Sequence, residues 1–165
     1  MRLATTLVGA AIAALATHAQ ADGATAKATL CKAAETVLFE CAVPRGKLVA
    51  LCAEPPGRVQ YRFGAIGHIE LAYPADPSEG PEKLLFAHYF RAGVDRVTVR
   101  FVHEGVEYRV FDFEEGNRRS AGVSVRTDPG GVERVLGCRG RIVHRPDEAK
   151  AILSCDAESA LSDCR

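Results

Sequence analysis

The chain has 165 residues, and its 21 basic and 21 acidic side chains cancel at neutral pH. Such a balance sets up no net field to gather phosphate polymers or anionic lipid, which argues against nucleic acid or a membrane surface as partner. The length suits one domain, and no apolar run reaches the roughly 20 residues that span a bilayer as a helix, so no stable membrane insertion is expected.

Met1-Arg2 gives a short positive start, Leu3 to Ala16 is almost wholly apolar or small, and Ala19-Gln20-Ala21 has the small-x-small form that a signal peptidase cleaves after. The pattern predicts a signal peptide over residues 1–21 and a single secreted β domain over 22–165, located in the periplasm or released. Cys31 is the first cysteine and stands too far from the apolar run to be a lipoprotein site. Cleavage would remove one base, Arg2, and no acid. Cys31, Cys41, Cys52, Cys138, Cys155 and Cys164 all follow the cleavage site and are disulfide candidates in an oxidising compartment.

Residues 22–34 are small and polar and read as a tail pinned by Cys31. Val37, Phe39, Cys41 and Val43 then fall on one face of a period-two segment, Pro44 to Lys47 is a turn signal, and Leu48 to Ala53 returns as a second strand. A two-residue loop at Arg45-Gly46 would oppose Val43 to Leu48 and make Cys41 and Cys52 diagonal neighbours near the limit of disulfide reach. A one-residue shift would put them on opposite faces. Val59, Tyr61 and Phe63 alternate with Gln60 and Arg62, and Ile69, Leu71 and Tyr73 with His68, Glu70 and Ala72. Pro74 to Pro81 is a polar, proline-rich loop. Lys83 to Arg91 and Val94 to His103 follow, the latter with Val97, Val99 and Phe101 opposite Arg96, Thr98 and Arg100. Val106 to Phe113, Ala121 to Arg126 and Val132 to Cys138 complete the strands, the last two separated by the turn at Asp128 to Gly131. Pro146 to Leu153 is a short helix, with proline and acids in its first turn. Cys155 and Cys164 bracket a final loop, and a local bridge between them is the preferred pairing there.

Eight or nine short strands, regular turns and one terminal helix predict an all-β fold. It would be an antiparallel β-sandwich or barrel of about eight strands with a short C-terminal helix, stabilised by disulfides. Each strand should have one buried and one wet face.

His68, His88, His103 and His144 belong to no metal motif, and no nucleophile elbow or phosphate-binding glycine loop follows a strand. With the cysteines committed to bridges, the expectation is a non-enzymatic protein with no catalytic residues, metal or cofactor. The binding candidate is the charged stretch Glu114 to Ser120, read as a loop on a rigid β scaffold. There Arg118 and Arg119 could grip carboxylates and Ser120 add a hydroxyl contact. Arg96 and Arg100 would contribute from a wet strand face.

Phe39-Glu40-Cys41, Gly46-Lys47, Leu51-Cys52-Ala53, Val59 to Gly64 (VQYRFG) and Ile69 to Pro74 (IELAYP) carry a resemblance. So do Tyr108 to Phe111, Gly122 to Val125, Cys155-Asp156 and Ser159 to Leu161. Over most of residues 35–164 the chain resembles a family of small secreted bacterial proteins of unknown function. The resemblance implies compartment and fold, not chemistry, and Arg118-Arg119-Ser120 is more basic than that family's loop. The expectation is an extracytoplasmic, envelope-associated binding protein that recognises another envelope or secreted protein, or a glycan. The alternative is a protein that resembles lysozyme inhibitors in size, compartment and architecture and blocks an enzyme cleft with its charged loop, although their serine/glycine/tyrosine loop pattern is missing.

Overall fold

The computed structural model describes residues 28–127 and 130–162. The expected signal peptide, Asp128 and Pro129 of the expected turn, and Cys164 lie outside the described residues. β1 (Thr36–Val43), β2 (Lys47–Glu54), β3 (Arg58–Ala65) and β4 (His68–Tyr73) run as antiparallel neighbours. So do β5 (Leu85–Arg91), β6 (Val94–His103), β7 (Val106–Glu115), β8 (Arg118–Arg126) and β9 (Arg134–Gly137). A further strand, β10 (Arg139–His144), crosses back and pairs with β1. The result is a sandwich of two open five-stranded sheets, ordered β10-β1-β2-β3-β4 and β5-β6-β7-β8-β9. Neither sheet closes on itself, so of the two expected architectures the sandwich holds and the barrel does not.

The expected strands end at Cys138, and β10 lies beyond them. Gly140, at φ 70°, lies where the pairing jumps from Cys41↔Ile142 to Ala42↔Arg139, so it absorbs the irregularity and the ladder continues. The proline-rich loop between the sheets contains a short helix, α1 (Gly80–Lys83). A Cβ on Gly80 would stand 2.0 Å from the carbonyl oxygen of Val59, so only glycine lets this crossover rest on β3. The terminal helix, α2 (Pro146–Ile152), forms where expected and buries Ala149 against the core.

Apolar positions of both sheets meet between them. Leu38, Leu51, Tyr61, Val99, Phe101 and Val123 are buried there, each side chain contributing about 1.5–3 kcal/mol of transfer free energy. The Phe101 ring lies 4.7 Å from Tyr73 and 4.9 Å from Tyr108 in stacked arrangements.

The hairpin joining β1 and β2 turns through three residues, Pro44–Gly46, so Val43 opposes Lys47 rather than Leu48. This is the one-residue shift that separates Cys41 from Cys52. Cys41 faces the inter-sheet core and bonds to Cys138, where the chain passes from β9 to β10. Cys52 faces outward and bonds to Cys31. Of the two registers that the sequence leaves open, the one that would allow Cys41–Cys52 does not form, and the bridges are Cys31–Cys52 and Cys41–Cys138. Cys155 is also disulfide-bonded.

The outward face of the first sheet is not wet throughout. The segment from Thr29 to Glu35 lies across it, held by Cys31–Cys52 and by an apolar group of Leu30, Cys31, Ala50 and Cys52. Beneath this strap Arg62 is only 2% exposed. Its guanidinium donates to both Glu35 carboxylate oxygens at 2.6 and 2.7 Å, to the Leu30 carbonyl at 2.9 Å and to Gln60 Oε1 at 2.9 Å. A buried charge persists only when paired and hydrogen-bonded in this way.

Candidate binding surface

Arg118, Arg119 and Ser120 are strand residues rather than loop residues. β7 runs to Glu115 and β8 starts at Arg118, so the connection is only Gly116-Asn117, with Gly116 at φ 57°. That is the glycine-first geometry of a tight two-residue hairpin. The charged run looked like a loop because its alternation is carried by polar residues at a solvated sheet end.

Register divides the three. Arg119 lies on the inward-facing row Phe90–Asp95–Glu114–Arg119, at the end of the sandwich. It donates to both Asp112 carboxylate oxygens, at 2.9 and 2.5 Å, and stands 3.3 Å from Glu114. Arg118 and Ser120 are exposed on the outer side, Ser120 in the row of Tyr89, Arg96 and Phe113. Arg118 has no ion-pair partner among the described residues.

The β5–β6 hairpin ends beside the β7–β8 hairpin, and the Gly116 N–H donates to the Gly93 carbonyl at 2.8 Å. The two tips thus form one end of the sheet, which displays Phe90 at 73% exposure on its inner row and Tyr89 on its outer row. The Arg91 guanidinium lies 5.9 Å from the Tyr89 ring, and that of Arg96 lies 5.7 Å from Phe113. The acids here are occupied: Asp95 by His88 at 2.8 Å, Glu114 by Arg119, and Glu115 by Arg96. Arg91 and Arg118 end one cross-strand row, Arg91–Val94–Glu115–Arg118. Three strand spacings separate their backbones by roughly 14 Å.

Beneath this end lies a polar cluster that sequence reasoning missed. Asp112 on β7 is 4% exposed and joins Arg119 to His144 on β10, whose Nδ1 is 2.8 Å away. Burial pushes the Asp112 carboxyl up, but the hydrogen bonds from His144 and Arg119 outweigh it and hold the pKa below the ordinary value. The cluster ties the two sheets together, with the His144 ring edge-on to Phe39. A signal was present: alternation puts Asp112 on the face of Tyr108 and Val110, and an inward acid needs a partner.

The other expected residues separate. His68 is exposed on β4, His88 is half-buried against Asp95, and the His103 ring packs 5.2 Å from Tyr73. Arg96 engages Glu115, and Arg100 is held by Asp156 through two 2.7 Å bonds and by Glu158 at 3.0 Å. The Arg100 hydrogen bonds lower the Asp156 pKa, so Arg100 clamps the tail after α2 instead of facing a partner. Cys31, Glu35 and Cys52 come close enough to suggest a metal site. The two sulfurs are bonded to each other and the carboxylate is bound by Arg62, so these atoms are spent.

Among the described residues no helix is long and apolar enough to cross a membrane. Comparison with protein-family models, with curated proteins and with solved structures finds no match to this chain.

Proposed function

We propose that this protein is an extracytoplasmic, non-catalytic binding module that holds another envelope or secreted protein with its paired hairpin end. The carrying observation is Phe90, a large aromatic ring at 73% exposure at the tip of a double hairpin whose other face carries Tyr89, Arg91 and Arg118. Aromatic and arginine side chains dominate the energetics of protein interfaces, and a ring held out by a locked backbone loses little entropy on burial. With the neighbouring acids paired, the charges left for a partner are Arg91 and Arg118. The complement is a partner that wraps the sheet end, with an apolar pocket for Phe90 and carboxylates for Arg91 and Arg118 on the other face.

Disulfide bonding supports an oxidising location. The isolated native protein should begin at Asp22 and contain no free thiol; a product that keeps Met1 with reduced cysteines removes the location from the reading. For the surface itself, a photocrosslinking residue replacing Tyr89 should give a discrete protein adduct in the producing cells, and one replacing the exposed Ile69 on β4 should not. Equal adducts from both positions, or none from Tyr89, overturn the assignment.

A second reading is blockage of a lysozyme-type cleft, and the observation that favours it is the free guanidinium of Arg118 at the tip. Arg119 would not take part, since Asp112 holds it. Residual activity of several lysozyme types at micromolar protein tests this, and unchanged activity rejects it.

A further inference from the structure

A groove of about 410 Å³ opens on the outer face of the first sheet, between the Thr29–Glu35 strap and β10. Its banks carry opposite charges that are not spent on each other. Glu40 borders the groove and is 5% exposed. Its Oε2 accepts from the Thr29 hydroxyl at 2.5 Å and from the Leu30 N–H at 3.2 Å. Its Oε1 accepts nothing, and no cationic side chain pairs with it, among the described residues. This contrasts with Glu35 close by, which Arg62 binds at both oxygens. Two neutral donors occupy one oxygen and leave the other open toward the groove.

Register supplies the rest. Glu40 pairs with Val143. Arg141 lies two residues from Val143, on the same side of β10, and also lines the groove. It is exposed and has no ion-pair partner among the described residues. Arg145, at the other end, is engaged by Glu148 at 2.8 Å. One open acceptor and one open guanidinium therefore border the same groove, on neighbouring strands.

The geometry points to a site for a small zwitterion with a free ammonium and a free carboxylate, such as a short peptide. Its ammonium would donate to Glu40 Oε1, and its carboxylate would accept from the Arg141 guanidinium in the paired geometry such groups favour. The site lies on the opposite sheet from the hairpin end and stands or falls independently of the proposed protein partner.

The test is an NMR titration of the purified, oxidised, isotope-labelled protein with glycylglycine. The comparison peptides are N-acetyl-glycylglycine, which lacks the ammonium, and glycylglycinamide, which lacks the carboxylate. Saturable shifts confined to Thr29, Glu40, Arg141, Val143 and their neighbours are expected, with at least tenfold weaker binding of either blocked peptide. Glu40→Gln should abolish discrimination against the acetylated peptide, and Arg141→Ala that against the amide. Arg141 is exposed, so its variant remains informative if Glu40→Gln loosens the strap. Equal binding of all three peptides, no saturable shift at millimolar glycylglycine, or shifts centred elsewhere overturn the assignment.

Discussion

Replacing Asp112 with asparagine keeps the shape of the cluster between the sheets and removes its charge. Breaking a fully buried ion pair costs about 3–5 kcal/mol. Here the cost should be smaller, because the Arg119 side chain keeps 39% of its exposure and water screens it once the carboxylate is gone. His144, at 17% exposure, loses its acceptor with less relief. About 2–3 kcal/mol near neutral pH follows, and a fall in Tm of roughly 6–12 °C for a domain of this size. The pH dependence is the sharper signature. The folded pKa of Asp112 is depressed, so its stabilisation is complete above the unfolded value of about 4 and is lost as pH falls through the lower folded value. The stability difference between wild type and Asp112→Asn, measured by urea unfolding across acidic to neutral pH, should therefore hold steady down to about pH 5 and shrink as the solution becomes more acidic. A difference below about 0.5 kcal/mol near neutral pH, well under the paired-charge range, or one that does not change with acid, would refute the reasoning.

Three further outcomes are expected. Alanine at both Cys41 and Cys138 removes a bridge of sequence separation 97, and alanine at both Cys31 and Cys52 one of separation 21. Chain entropy makes these losses about 4.7 and about 3.3 kcal/mol, so denaturant melts should rank the first pair as the more damaging. Arg62→Met should cost about 3–5 kcal/mol by leaving Glu35 buried and unpaired, and adding Glu35→Leu should recover most of it in a double-mutant cycle. Gly80→Ala should destabilise by about 3 kcal/mol or more in thermal unfolding, because its Cβ meets backbone rather than a movable side chain.

Period-two alternation made the sheets legible. Val59, Tyr61 and Phe63, and Val97, Val99 and Phe101, point as their pattern requires because a strand leaves no other choice of face. What alternation cannot reveal is what lies over the second face. Arg62 sits at a position that pattern marks as wet, yet a strap from outside the sheet buries it. Cysteine pairing turned on a single residue in the turn at Pro44–Gly46, since one added residue sends every later side chain of β2 to the other face. The Arg118–Ser120 segment reads as a loop from its charge, yet it forms the first residues of β8. The Asp112–His144 link joins strands of different sheets, a distance in sequence that no local pattern encodes.

The charges of a neutral chain gain meaning only when their partners are known. From sequence, Arg118 and Arg119 are the candidates for recognition, and Arg96 and Arg100 contribute from a strand face. In the fold, Arg100 clamps Asp156, Arg119 braces Asp112, and Arg96 lies over Phe113 while holding Glu115. Those three build the platform, and partnering with a ligand would require breaking contacts that the fold uses. Arg118 at the hairpin end and Arg141 on β10 keep their donors open. The same reasoning separates Glu35, saturated by Arg62, from Glu40, which retains an unused oxygen beside a groove. Recognition at either place would draw on groups whose hydrogen bonds the fold has left unmade, so substitutions at Arg118 or Arg141 should change binding with little change in stability, and those at Arg100 or Arg119 should do the reverse.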